Sequence, residues 1–335
     1  IGALVLLIGL WVRRARIGRG PVTAVAFFAL TLTPALGFIN YYPMIYSFVA
    51  DHFQYLASVG LIAAAVAAIQ NSRFKIQYAA PIVLLVLAVL TWKQTHIYRD
   101  LKTLWADTLQ KNPDSWLAHN NLGSLLTEEG NVQLASFHFE KAMQLNPKYD
   151  NIHYNMGIVF DREGKSSEAI SHYREALRLN PASAQAHNNL GRTLAGRGDL
   201  ELGLVELEKA LAIKPDYAKA HNNLGLLLTR KEDFDRAAVH YQEAIRIDPE
   251  FVDPYNNLGV LRARQGNFEE ATEHFQRGLK VMPASAQLHS NLARTLSKRG
   301  DLAGARVHYQ EALRIQPGLQ EAQEGLLHAQ QQIRP

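Results

Sequence analysis

The strongest constraint on what this chain can fold into is a period of 34 residues. Gly123, Gly157, Gly191, Gly225, Gly259 and then Ala293 stand at equivalent positions, each preceded two residues earlier by an asparagine: Asn121, Asn155, Asn189, Asn223, Asn257 and Asn291. Six units in one register exclude coincidence. Twelve residues after the Gly comes a small residue (Ala135, Ala169, Gly203, Ala237, Ala271, Ala305), at sixteen a large one (Phe139, Tyr173, Leu207, Tyr241, Phe275, Tyr309), and at twenty-four a proline, from Pro147 to Pro317. Small residues let two antiparallel helices approach, the large side chain fills the gap beside them, and Pro cannot continue the second helix, so each unit is expected to be a helical hairpin. Gly130, Gly164, Gly198, Gly266 and Gly300 fall in the intervening turn, where a left-handed residue closes a helix.

One such hairpin cannot cover its own apolar face, so the units stack, and the curvature of the stack leaves a concave inner wall as the candidate binding surface. The pattern resembles the tetratricopeptide repeat. That resemblance implies an all-α, right-handed α-solenoid of six units over residues 116–319. A connecting half-repeat helix is expected over 99–115, where Leu101, Trp105, Thr108 and Pro113 keep the register of a second helix, and a Gln-rich capping helix over 320–335.

Charge divides the chain in two. Residues 1–98 carry seven Lys or Arg and a single acid, Asp51, against 28 basic and 30 acidic side chains in the rest. The net charge of +4 therefore belongs to a short apolar segment, and the larger part lacks the electrostatic footprint of a nucleic-acid binder. Apolar stretches over about 21–39, 53–70 and 76–95 each approach the ~20 residues that cross a bilayer as helix, so a polytopic transmembrane region is expected before the solenoid, with the lipid bilayer as a partner. Ile1 to Val12 is too short to cross, and the chain starts without Met, which reads as a span cut in the middle of a longer protein.

Orientation follows from the loops. Arg13, Arg14, Arg16 and Arg19 crowd the first and Arg73 and Lys75 sit in the third, while Asn40 to His52 has no Lys or Arg, which places the first and third loops in the cytoplasm. Everything after about residue 99 is then on the far side of the membrane, and the last span is expected to run on through Leu109 with little break. No N-x-S/T acceptor site occurs, which favours a bacterial inner membrane with the repeats in the periplasm.

The asparagine row is the leading candidate site. The sixth position of this repeat faces the inner wall, and a carboxamide can donate to and accept from a peptide backbone at once, gripping a chain without reading its sequence. The segments His119 to Gly123, His187 to Gly191 and His221 to Gly225 resemble the repeat domain of the O-linked N-acetylglucosamine transferase, where a similar row is known, although no sugar-nucleotide transferase domain follows here. A protein or extended peptide in the concave face is the expected partner; bonding between neighbouring units is the competing role for the same amides.

Ten histidines are periodic, five of them two residues before the Asn and five one residue before the large side chain, and repetition spreads them along the axis, so no metal site is expected. Gly164-Lys165-Ser166 echoes the end of a phosphate loop, but Val159 stands where that motif needs Gly. No G-x-S-x-G, H-E-x-x-H or dinucleotide fingerprint occurs, and the absence of cysteine excludes a disulfide scaffold, a thiolate zinc site and a Cys nucleophile. The visible chain thus offers no catalytic set and no cofactor site.

A second resemblance rests on Ala50-Asp51-His52-Phe53-Gln54-Tyr55-Leu56, followed by a span and then by repeats. It is similar to the A-D-R-Y-x-Y-L motif of transmembrane and tetratricopeptide repeat-containing proteins, with His52 in place of Arg and Phe53 in place of Tyr. Asp51 is the one acid of the membrane part, which makes Asp51 and His52 candidates for an outward-loop or lipid-phosphate site. The resemblance implies a glycosyltransferase of the GT-C, O-mannosyltransferase-like kind, using a lipid-linked sugar, with its acidic catalytic residues upstream of Ile1. The expectation is a membrane-anchored protein-binding solenoid serving such an enzyme; the alternative is a non-enzymatic membrane scaffold for complex assembly.

Overall fold

The computed structural model describes residues 100–333. The spans expected over 21–39, 53–70 and 76–95 lie outside the described residues, and among the described residues no helix is long and apolar enough to cross a membrane. Among the described residues fourteen helices follow one another without a strand. Helix α1 (Leu101–Lys111) precedes six hairpins: α2 (Trp116–Glu128) with α3 (Val132–Leu145), α4 (Asp150–Arg162) with α5 (Ser166–Leu179), α6 (Ala184–Arg197) with α7 (Leu200–Ile213), α8 (Ala218–Arg230) with α9 (Phe234–Ile247), α10 (Val252–Arg264) with α11 (Phe268–Val281), and α12 (Ala286–Lys298) with α13 (Leu302–Ile315). Helix α14 (Gln320–Ile333) closes the stack.

The boundaries have local causes. Ser115, Ser183 and Ser285 cap first helices by accepting from the backbone N–H three residues on. At the turn inside each hairpin the chain takes a left-handed residue: Gly130, Gly164, Gly198, Gly266 and Gly300 have φ between 74° and 103°. The next N–H then reaches back to close the first helix, as Asp199 N does to the Leu194 carbonyl at 3.0 Å. Unit four has Glu232 there instead, at φ 63°, the one non-glycine with positive φ among the described residues. Such a residue costs about 1 kcal/mol that the other turns avoid.

Each hairpin closes around the pair found in the sequence. Ala135, Ala169, Ala237, Ala271 and Ala305 are fully buried, and so, or nearly so, are the large side chains beside them. A Cβ on Gly157 would lie 2.4 Å from Tyr173 Cε1, and one on Gly225 2.7 Å from Tyr241 Cε1, so the glycine is there because a ring occupies the space a side chain would need. First helices of successive units touch one another while second helices of successive units make no comparable contact, which bends the stack with the first helices on the inside.

A single helix stands at each end of the hairpins, α1 before them and α14 after them. Helix α1 starts at Leu101 after a bend at Asp100, consistent with the preference of Asp for helix starts, and the run foreseen from about 76 lies, up to residue 99, outside the described residues. Leu101 is exposed; α1 docks through Leu104 and Trp105, the latter packed with Ala118, Leu122 and Phe139. At the far end Gln323 stands 34 residues after His289 and takes over its hydrogen bond, donating to the Pro317 carbonyl at 2.8 Å. Gly325 stands 34 residues after Asn291 and lies under the Tyr309 ring, so the asparagine row ends there.

Candidate functional site

All six asparagines stand on first helices, and five of their amide groups donate backward to the preceding unit. Asn223 Nδ2 donates to Asn188 Oδ1 and Asn257 Nδ2 to Asn222 Oδ1, each at 2.9 Å, and Asn291 Nδ2 donates to Asn256 Oδ1 at 2.7 Å. Asn155 Nδ2 reaches Asn120 Oδ1 at 3.0 Å and Ser124 Oγ at 3.2 Å, and Asn189 Nδ2 reaches the Tyr154 hydroxyl at 3.2 Å. The row therefore staples units together, the role that competes with ligand contact. It does not consume the amides: among the described residues no donor meets Oδ1 of Asn155, Asn223 or Asn257, and all three side chains are half-buried rather than sealed.

The acceptors of this row were not legible in the sequence as partners. They sit one position before the asparagine of the unit before, a separation of 35, so self-comparison at 34 aligns them with one another and not with what they bind. A second set of staples shares that separation: Arg162 donates to the Thr127 carbonyl, and Arg230 Nη1 to the Ala195 carbonyl at 2.6 Å, each a second donor to a last-turn carbonyl that also accepts from the turn glycine, Gly130 or Gly198. A third is Asp161, which accepts from Tyr173 Oη at 2.9 Å within its own unit and from Arg192 Nη2 at 2.7 Å and Thr193 Oγ1 at 2.8 Å in the next. Burial and the adjacent Asp161 carboxylate push the Tyr173 phenol well above its usual range, so it remains a donor.

Asn223 and Asn257 also line a pocket of about 430 Å3 on the inner wall. Arg192 comes from α6, Arg230 from α8 and Arg264 from α10, over a floor that includes Leu227, Val260 and Tyr241. Burial pushes Tyr241 up to about 12, and its hydroxyl lies 3.1 Å from Thr229 Oγ1. The pocket crosses three successive first helices, so whatever enters it lies along the row and not across it.

The histidines pair. His119, His221 and His289 place Nδ1 2.9, 3.0 and 2.9 Å from Nδ1 of His138, His240 and His308, and His153 and His172 stand 3.4 Å apart in the same way. Each first-helix ring also donates Nε2–H to a proline carbonyl six residues back, as His119 does to Pro113 at 3.0 Å. In the neutral ring its Nδ1 must then accept, so the second-helix histidine is the donor of the pair. Burial, and then the facing histidine, hold His138, His172, His240 and His308 below the usual imidazole value, His240 at about 4. Unit three differs: His187 Nδ1 meets Glu206 Oε2 at 2.6 Å in place of a second imidazole, while its Nε2 donates to the Pro181 carbonyl. That hydrogen bond holds the Glu206 carboxyl below its usual range. Among the described residues no three His, Asp or Glu side chains converge as a metal would require. Asp51 and His52 lie outside the described residues.

Family models of the tetratricopeptide repeat match residues 118–149, 154–218, 218–251 and 252–317. No curated protein matches the chain. Among solved structures, PilF of Pseudomonas aeruginosa is 21% identical with a TM-score of 0.56, over 64% of this chain and 97% of that one. PilW, a type IV pilus biogenesis factor, is 20% identical with a TM-score of 0.58, over 63% and 98%. The Cut9–Hcn1 hetero-tetramer of APC/C gives 18% and 0.62, over 83% of this chain and 62% of the other. At such identities the likeness is one of fold, and it agrees with the hairpins, the buried glycine and ring pairs and the period. The chain belongs to the tetratricopeptide-repeat family, whose solenoids are suited to binding proteins.

Proposed function

We propose that the inner wall holds extended polypeptide, gripped through the asparagine row, on the non-cytoplasmic side of a membrane. First helices pack about 8 to 10 Å apart, so the row would engage roughly 40 to 50 Å of chain. The observation that carries the reading is the set of half-buried Asn155, Asn223 and Asn257 carbonyl oxygens, oriented by inter-unit bonds and, among the described residues, without a donor, those of Asn223 and Asn257 beside an open pocket. An amide held in place by one hydrogen bond and free to make others is preorganised for a peptide backbone.

The membrane setting is supported by the three apolar stretches and the arginine-rich first loop, and the link to lipid-linked glycosyl transfer by residues 50–56. In that setting the solenoid presents acceptor segments to an O-mannosyltransferase-like site upstream. Alkaline phosphatase fused after Pro335 is expected to be active in a bacterial host; an inactive fusion that is nonetheless produced places the repeats in the cytoplasm and ends this placement.

The Asn189→Ala/Asn223→Ala double variant is expected to weaken capture of an unfolded polypeptide about thirty-fold, at roughly 1 kcal/mol for each of two lost hydrogen bonds. Tyr154→Phe/Asn188→Ala is the matched control, because those residues accept the same inter-unit bonds. Equal loss in both variants would make the asparagines staples and nothing more. A second reading, the non-enzymatic scaffold, is favoured by Phe137, Val205, Val239 and Val307, exposed apolar side chains at one register position of the second helices. Folded partners captured equally by wild type and the asparagine variant would support it.

A further inference from the structure

The near-neutral charge of the repeats hides a segregation. The first helices of units two to six, α4, α6, α8, α10 and α12, carry nine basic side chains against three acidic ones. The second helices of the same units, α5, α7, α9, α11 and α13, carry nine basic against eleven acidic. The inner helices are therefore positive and the outer ones slightly negative, although the two sets alternate along the sequence. Of the three inner acids, Asp161 is already engaged by Arg192, Thr193 and Tyr173.

Within the pocket, two of the three arginines have duties: Arg192 is paired with Asp161 and Arg230 holds the Ala195 carbonyl. Arg264 is exposed and, among the described residues, has no hydrogen-bonding or ion-pair partner. It stands over the apolar floor, on the same helix as Asn257, with no carboxylate lining the pocket. A guanidinium left unpaired at the edge of an apolar recess is a fork for a carboxylate.

Resting on the polypeptide-binding reading above, we infer that the wall over units three to five selects acidic segments of extended polypeptide, with Arg264 taking a side-chain carboxylate and the floor beneath it one large apolar side chain. Single-stranded nucleic acid is the other polyanion that a positive groove attracts, but it also needs aromatic faces on which bases stack. Among the described residues the aromatic rings of the first helices are buried or half-buried.

The test uses the full 335-residue chain and three fluorescent peptides, four repeats of Ser-Leu-Gly-X with X as Glu, Gln or Lys. Anisotropy titration at low salt is expected to rank Glu tightest, at least about ten-fold ahead of Gln, with Lys weakest, and the gap is expected to close at high salt. Arg264→Glu should remove about five-fold or more of the preference for the Glu peptide. Lys280→Glu, on the outer α11, changes the net charge equally and should leave the preference in place. An unchanged melting temperature in Arg264→Glu excludes misfolding as the cause.

Equal binding of the three peptides, or equal effects of the two charge reversals, overturns the inference. If the peptides bind equally and Asn189→Ala/Asn223→Ala still weakens them, the polypeptide reading survives without the acidic preference. Failure of all three to bind overturns both, and tighter binding of an oligo-dT of similar length reassigns the wall to nucleic acid.

Discussion

Acidification from pH 7.5 to 5 is expected to lower the melting temperature of the repeats by roughly 5 °C or more, an effect that a His138→Asn/His172→Asn/His240→Asn/His308→Asn variant largely abolishes. The sign follows from the pairing. In the folded chain these four rings, and His274 with them, are held below the ordinary imidazole value of about 6.5, burial being the first cause in each case. As pH falls below about 6.5 the unfolded chain takes up protons that the folded chain refuses, so stability is lost from there down to the folded values, about 4 for His240.

Other charges face these rings. Glu175 opposes the lowering at His172, Glu243 and Asp233 at His240, Glu273 and Glu270 at His274, and Asp301 and Glu311 at His308, while Arg236 adds to it at His240 and Arg277 and Arg262 at His274. None of these outweighs burial. Glu206, also held low, loses its contribution as pH falls further, so it adds to the acid sensitivity. Asparagine keeps a donor for the first-helix Nδ1 without a titrating proton. Scanning calorimetry across pH decides the matter: a wild-type slope unchanged in the quadruple variant would show that the pairs do not carry it.

The second large effect is local rather than global. Gly157→Leu is expected to cost about 3 kcal/mol or more, because its Cβ alone would stand 2.4 Å from a Tyr173 ring that is fully buried. The ring cannot retreat without pulling its hydroxyl from Asp161, and Asp161 is what Arg192 and Thr193 of the next unit hold. Damage should therefore spread across the joint between units two and three and then stop, since in a stack each unit touches only its neighbours. Hydrogen exchange is expected to show early loss of protection in α4 and α5 while α10 to α13 stay protected. Gly196→Ala is the control: nothing lies within 4 Å of its Cβ position, and helix propensity favours alanine there. A single cooperative melt of the whole solenoid in Gly157→Leu would contradict the local picture.

The fold was legible because its determinants repeat at the same interval as the structure. Gly157 and Tyr173, sixteen apart, announce a close helix pair, and Gly164 marks its turn. The joints were less legible. Asn257 and Asn222 meet across a separation of 35, and Asp161 gathers partners from three places, so neither shows as a column in a 34-residue alignment. The histidine pairs are all 19 apart, as at His221 and His240, but that interval acquires meaning only once the two helices are known to be antiparallel and in contact. Charge segregation was hidden for a similar reason: inner and outer helices alternate every few turns, and an average over the chain cancels them.

The staples on the wall share a polarity that bears on how the molecule is made. In each asparagine and arginine joint the donor belongs to the later unit and the acceptor to the earlier one. A chain emerging from the ribosome thus meets, at each new hairpin, a finished surface of carbonyl oxygens that water has kept satisfied in the meantime. Assembly can proceed vectorially, one seam sealing per hairpin, with none of these asparagine and arginine donors kept waiting for a unit not yet synthesised.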